Sequence, residues 1–240
     1  MFAEVALDGV RLDVDGVAVL DGVSVTWTQR RLGVIGANGS GKSTLLRLLN
    51  ALATPTAGLV TLTLLDGRRI DPARHPGQAR AVVGFVFTDP AAQVVMPTPA
   101  EDVALSLRRL RLTRSERDAQ VAAVLASVGL SERADTSAYA LSSGQKQLLA
   151  LAAVLAVEPG LVVLDEPTTL LDLRNAMAVE QRICALDQHV VLASHDLGLV
   201  RRVCDRGLVM HEGRVVADAG PAEASEAYRR LVADGAVSSP

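Results

Sequence analysis

The sequence predicts an α/β fold: an open, mainly parallel sheet wrapped by helices, with a β-rich N-terminal part and an all-helical insertion. Three observations predict it. Apolar strand-like runs alternate with helical stretches, which implies parallel pairing through crossover helices. A strand over residues 32–35 runs through a glycine-rich loop straight into a helix. Residues 89–158 read as helices with no strand between them, so this block looks inserted between two strands of the sheet. The chain has 240 residues, 49% hydrophobic and 21% charged. That is enough apolar material for a substantial core, and it excludes a disordered or fibrous chain.

Each element has a local cause. Residues 1–35 alternate apolar and polar and are rich in valine, so 17–20, 23–27 and 32–35 read as strands. Asp15-Gly16 and Asp21-Gly22 are hairpin-turn signals between them. Residues 41–52 carry helical periodicity. A strand over 59–65 closes on a turn at Asp66-Gly67, and 82–87 is a short strand apolar on both faces. Pro90, Pro97 and Pro99 then punctuate a loop, and helices follow over 101–110, 114–128 and 142–157. Strands return at 161–164 and 190–193 with a helix between them. Residues 207–210 and 214–217 flank His211-Glu212-Gly213, a further hairpin signal, and 221–232 form a terminal helix.

Composition narrows the function. The net charge is −3, a poor electrostatic match for a dedicated nucleic-acid binder. One Trp, two Tyr and three Phe are too few for a base-stacking platform. Cys184 and Cys204 have no metal-ligand spacing and read as two reduced, buried thiols of a cytosolic protein. The N-terminus lacks a basic segment followed by an apolar run, so no secretory signal is expected. The apolar run over 148–157 is too short to span a bilayer. Any work at a membrane would be done from its surface, through a partner.

The chemistry begins at Gly36, Ala37, Asn38, Gly39, Ser40, Gly41, Lys42, Ser43 and Thr44, which fit the phosphate-binding loop pattern in its strand–loop–helix setting. Glycines let successive backbone N–H groups turn inward and remove side chains that would block a phosphate. The helix N-terminus adds partial positive charge. Lys42 would reach the β- and γ-phosphates, and Ser43 would place its hydroxyl on Mg²⁺. Downstream, the apolar run 161–164 ends in Asp165-Glu166, at the strand end where ligands sit in open α/β sheets. Asp165 is the candidate Mg²⁺ ligand, and Glu166 the candidate base for an attacking water. A third strand ends at Ser194-His195-Asp196, where His195 can contact a γ-phosphate.

Leu141-Ser142-Ser143-Gly144-Gln145 stands at the start of a helix. Together with the phosphate loop, Asp165-Glu166-Pro167 and His195, it closely resembles the nucleotide-binding subunit of ATP-binding-cassette (ABC) transporters over nearly the whole chain. The resemblance implies a P-loop NTPase (RecA-like) core with an N-terminal antiparallel β-subdomain over 1–88 and 159–240, and an inserted helical subdomain over 89–158. It implies a single ATPase domain that uses ATP and Mg²⁺. Ser142, Ser143, Gly144 and Gln145 would form the signature motif, which binds the nucleotide held by a facing subunit in a head-to-tail dimer. Thr168-Thr169-Leu170-Leu171-Asp172 would be the dimer-contacting segment. The facing subunit would be a second copy or another ABC ATPase.

Val86-Phe87-Thr88-Asp89-Pro90, Gln93, Pro97-Thr98 and Glu101-Asp102-Val103-Ala104 are similar to ATPases of energy-coupling-factor importers. That resemblance implies a transmembrane coupling subunit and a substrate-binding membrane subunit as partners, with no nucleic acid. The location would be peripheral, at the cytoplasmic face of the cell membrane. Biotin is the first cargo expected, with cobalt or nickel ions next. Asp89, Glu101 and Asp102 would meet arginines of the coupling subunit.

Three positions depart from the family pattern. Thr88 stands where a glutamine usually reaches Mg²⁺ and water, so it could reach them only through a water. Ser143 replaces a glycine. No aromatic stands near Val14 to stack on adenine. With Lys42, Asp165, Glu166 and His195 all present, slow but real hydrolysis is expected. The alternatives are the ATPase of another ABC transporter, a soluble ABC ATPase acting on nucleic acid or ribosomes, and a non-hydrolysing dimerisation partner.

Overall fold

The computed structural model describes residues 2–235. The chain forms two compact units. The first runs up to Gly84 and returns over Gly160–Glu166 and from Leu186 onward. The second comprises Phe85–Pro159 and Pro167–Ala185.

The first unit holds a four-stranded sheet. Its long strands β1 (Phe2–Val14) and β2 (Val17–Trp27) pair antiparallel about a turn in which Asp15 and Gly16 both take positive φ. This is the geometry a two-residue hairpin requires. β4 (Ala57–Leu64) pairs with the other edge of β1, and β5 (Arg69–Ile70) with β4. Alternation alone did not separate β1 as a strand of its own. Asp21-Gly22 is also not a turn. It lies inside β2, where the register with β1 shifts, and Gly22 takes φ 69 as the extra residue of a bulge. The Asp21 carboxylate is occupied by Arg11 and Arg214, and its N–H donates to Gly213 O. The strand therefore continues instead of reversing.

The second sheet has six strands in the order β10-β9-β3-β8-β7-β6. β3 (Arg31–Ile35) pairs parallel with β8 (His189–Ala193) and β9 (Arg206–His211), and β7 (Leu161–Asp165) pairs parallel with β8. β10 (Arg214–Ala219) is antiparallel to β9 across Glu212-Gly213, both at positive φ. β6 (Val83–Val86) is wholly buried and carries the chain into the second unit. The parallel strands are nearly continuous Val, Leu and Ile because both faces are covered. α1 (Lys42–Leu49), α2 (Pro76–Val82), α7 (Leu197–Val203) and α8 (Pro221–Ala233) complete the unit.

The second unit is helical: α3 (Pro99–Ser106), α4 (Arg114–Ser127), α5 (Ser143–Leu155) and α6 (Leu173–Cys184), joined by short 3₁₀ turns. Val103, Leu107, Val121, Leu125, Leu141 and Leu149 form its core. The block expected over 89–158 lies within it, and the unit also takes in 167–185 because α6 packs on α5. α6 ends in an exposed Cys184, so only Cys204 of the two thiols is buried. The last turn of α6 presents position 184 outward while Val179 and Ile183 face the core. Among the described residues, no helix is long and apolar enough to cross a membrane.

Candidate functional site

β3 delivers the chain, fully buried from Leu32 to Ile35, into a loop that only glycines can close. A Cβ on Gly36 would lie 2.5 Å from Met210 O and 2.5 Å from Ser40 Oγ. Gly41 takes φ 98 and caps α1 without any side-chain hydrogen bond. The first amides of α1 are thus left for an anion. Lys42 is 5% exposed, and its Nζ donates to Gly36 O at 2.8 Å and Ala37 O at 2.9 Å. Burial pushes the ammonium below its ordinary pKa, and Glu166 and Asp165 pull it back up. Ser40 Oγ is buried beside Gly36 without a partner.

The carboxylates arrive on β7, whose residues are all buried. Asp165 accepts a hydrogen bond from Ser43 Oγ at 2.8 Å. Burial raises its pKa, and the Ser43 bond opposes that rise. Glu166 follows in the left-handed region, φ 50, which a non-glycine residue holds only when its surroundings force it. Here they do. Its N–H donates to Ala193 O at 3.0 Å, and its Oε2 sits 2.8 Å from His195 Nδ1. Glu166 Oε1 lies 3.9 Å from Lys42 Nζ. Within the first unit, Lys42, Glu166 and His195 thus make one chain of contacts and Ser43 and Asp165 a second, with the charges of Asp165 and Glu166 both acting on Lys42.

The second unit carries the other candidate residues. Ser142 caps α5 reciprocally: Gln145 N donates to Ser142 Oγ at 3.2 Å, and Ser142 N donates to Gln145 Oε1 at 3.0 Å. This capping box starts the helix. Ser143 is then an ordinary first-turn helical residue without positive φ, so a serine fits there without strain. Thr88 lies just past β6. Gln93 does not substitute for it, because both ends of its amide are engaged: Phe87 N donates to Oε1 at 3.0 Å, and Nε2 donates to Phe85 O at 3.1 Å.

Asp102 does not serve as a surface contact. It is 5% exposed and accepts from Val95 N at 2.9 Å and Met96 N at 3.1 Å. Its place in the first turn of α3 turns the carboxylate under its own loop. Asp89 caps a 3₁₀ turn through Ala91 N, and Glu101 accepts from Thr98 Oγ1. Sequence reasoning missed the orphaned Ser40 hydroxyl, the Glu166–His195 bond and the left-handed Glu166. Nothing local in the sequence signals any of the three.

Residues 20–169 match the ABC transporter family. The chain belongs to that family. As a member, it is a transporter ATPase that binds ATP. It is similar to the biotin transport ATP-binding protein BioM of Rhizobium etli, with 42% identity over 214 residues covering 89% of this chain and 92% of that protein. The solved structure of cbiO1 from Clostridium perfringens, part of the ABC transporter complex cbiONQ, superposes with a TM-score of 0.79 at 29% identity. That match covers 96% of this chain and 94% of the other. The ATP-binding cassette MJ0796, solved as a dimer in a post-hydrolysis state with ADP and Pi, gives 0.78 at 26% identity, over 90% and 98% of the two chains. The P-loop fold of this ABC ATPase is thereby shown.

Proposed function

We propose that this ABC ATPase powers an energy-coupling-factor-type importer, with biotin the first cargo to test and cobalt or nickel ions next. The observation that carries the reading is the convergence of two contact sets, Lys42–Glu166–His195 and Ser43–Asp165, at the mouth of a glycine-bent loop. The similarity to a biotin transport ATPase supports the cargo.

In this reading residues 36–44 hold the triphosphate through backbone N–H groups. Lys42 exchanges its two loop carbonyls for the β- and γ-phosphate oxygens. Ser43 and Asp165, a hydroxyl and a carboxylate in contact, are the hard oxygen donors that fit Mg²⁺. When bound, that ion neutralises charge developing on the phosphates. Glu166 orients the attacking water and takes its proton. His195 holds the Glu166 carboxylate through Nδ1 and faces the γ-phosphate with the rest of its ring. Ser142, Ser143, Gly144 and Gln145 bind the triphosphate of a facing ATPase subunit. Leu170, Leu173 and Met177 are exposed apolar side chains on and beside the 168–172 segment, consistent with a protein partner there.

Coupling and substrate-binding membrane subunits would place the chain at the cytoplasmic face of the membrane, with Asp89 and Glu101 the remaining acidic contacts. The test is detergent extraction of the tagged chain from its own membranes, followed by analysis of the co-eluting subunits and their bound small molecule. Retained biotin supports the reading. Retained cobalt or nickel moves the cargo to the second choice. A chain that elutes alone, with ATPase activity indifferent to membrane subunits, overturns the importer assignment.

A further inference from the structure

A second close contact lies inside the helical unit. A Cβ on Gly144 would stand 2.2 Å from Cγ of Asn175 and 2.5 Å from both its Nδ2 and its Oδ1. The Asn175 carboxamide therefore lies across the Gly144 Cα, in space that any other side chain would fill. Its far end is fixed as well. Nδ2 donates to Asp172 Oδ2 at 3.0 Å, and the Asn175 backbone N–H donates to Asp172 Oδ1 at 2.8 Å. Asp172 is the N-cap of α6 and the last residue of the 168–172 segment. One side chain thus ties the start of α5 to the start of α6.

We propose that Asn175 is a positioning residue for ATP hydrolysis. Seated on Gly144 and anchored by Asp172, it makes the 142–145 turn and the 168–172 segment one rigid body. The inference rests on the proposed role of 142–145 at a triphosphate. Asn175 itself touches no reacting atom. Its effect is to order the turn before the nucleotide arrives, so no ordering is needed at the moment of contact. The phosphate loop belongs to the other unit and is built without it. Loss of Asn175 therefore slows turnover and leaves nucleotide capture alone.

The test compares Gly144→Ala, Asn175→Ala and the double variant. ATPase activity is measured in the assembled transporter, and fluorescent ATP binding on the purified full chain. Asn175→Ala should lower kcat about fivefold with ATP affinity unchanged, and Gly144→Ala should lower it more than about tenfold, within the coupling expected of contacting residues. The double variant should recover to about the rate of Asn175→Ala, because the new methyl group occupies space the carboxamide has left. Such a rescue is not expected of two independent structural defects. A double variant no faster than Gly144→Ala, or an Asn175→Ala variant with wild-type kcat, overturns the proposal. If Gly144→Ala does not fold, recovery of a cooperative melt in the double variant reads the same contact, and no recovery overturns it. A wild-type chain that neither binds nor hydrolyses ATP removes the functional reading underneath instead.

Discussion

Replacing Ser43 with alanine perturbs the site at its most buried charge. Asp165 is 2% exposed, and the Ser43 hydroxyl donates to it at 2.8 Å. A hydrogen bond to a charged group contributes about 1.5–3 kcal/mol, and more of that is lost when the acceptor stays buried without a replacement. A loss of about 2 kcal/mol in a chain of this size lowers Tm by about 4–8 °C. The pH dependence gives a second reading. Burial holds the folded pKa of Asp165 above its unfolded value, so this group's contribution to stability is present at low pH and is lost as pH rises through the folded pKa. The Ser43 bond favours the ionised form and softens that loss. Without it the folded pKa rises further, and the penalty of Ser43→Ala is full at neutral pH and fades once Asp165 is protonated in both variants. The assay is calorimetric or circular-dichroism melting of the nucleotide-free chain from acidic to neutral pH, with Ser43→Thr as the hydroxyl-retaining control. Equal melting temperatures at neutral pH, or a gap that widens on acidification, would refute the reasoning.

Other perturbations give equally definite expectations. Glu166→Gln should cut ATPase turnover at least about a hundredfold while ATP binding persists, since general-base contributions run to about 10²–10⁴; steady-state phosphate release and nucleotide binding measured on the same protein separate the two. Gly41→Ala should abolish ATP binding, because position 41 takes φ 98 and an added Cβ would lie 2.8 Å from Val19 O; isothermal titration with ATP checks it, and wild-type affinity would contradict the rigid-loop account. Asp102→Ala orphans the Val95 and Met96 N–H groups. About 2–3 kcal/mol of stability should go with them, read as a lower melting temperature and faster amide exchange over residues 94–96.

The local chemistry was legible because each piece depends on short-range pattern. The glycine spacing around Lys42, the apolar run ending in Asp165-Glu166 and the hairpin turns at Asp15-Gly16 and Glu212-Gly213 are all set by residues within a few positions of one another. Errors arose where a distant group decided the outcome. Asp21-Gly22 has every local mark of a turn, yet Arg11, Arg214 and Gly213 O hold it in a strand. Asp102 looks like a surface acid, but its own loop folds over it.

From the order of its residues alone, this chain determined its phosphate loop, its paired strand-end carboxylates and its alternating layers, because backbone sterics and hydrophobic periodicity act between near neighbours. Only the assembled tertiary structure decided that Glu166 is bent into the left-handed region against His195, that Lys42 lies across its own loop, and that Asn175 fills the space Gly144 leaves open. The Glu166–His195 and Gly144–Asn175 contacts join segments about thirty residues apart, and Lys42 is held to its own loop by burial that comes only with the closed fold. Their energies depend on burial and geometry, which exist only once the sheets and helices have closed around them.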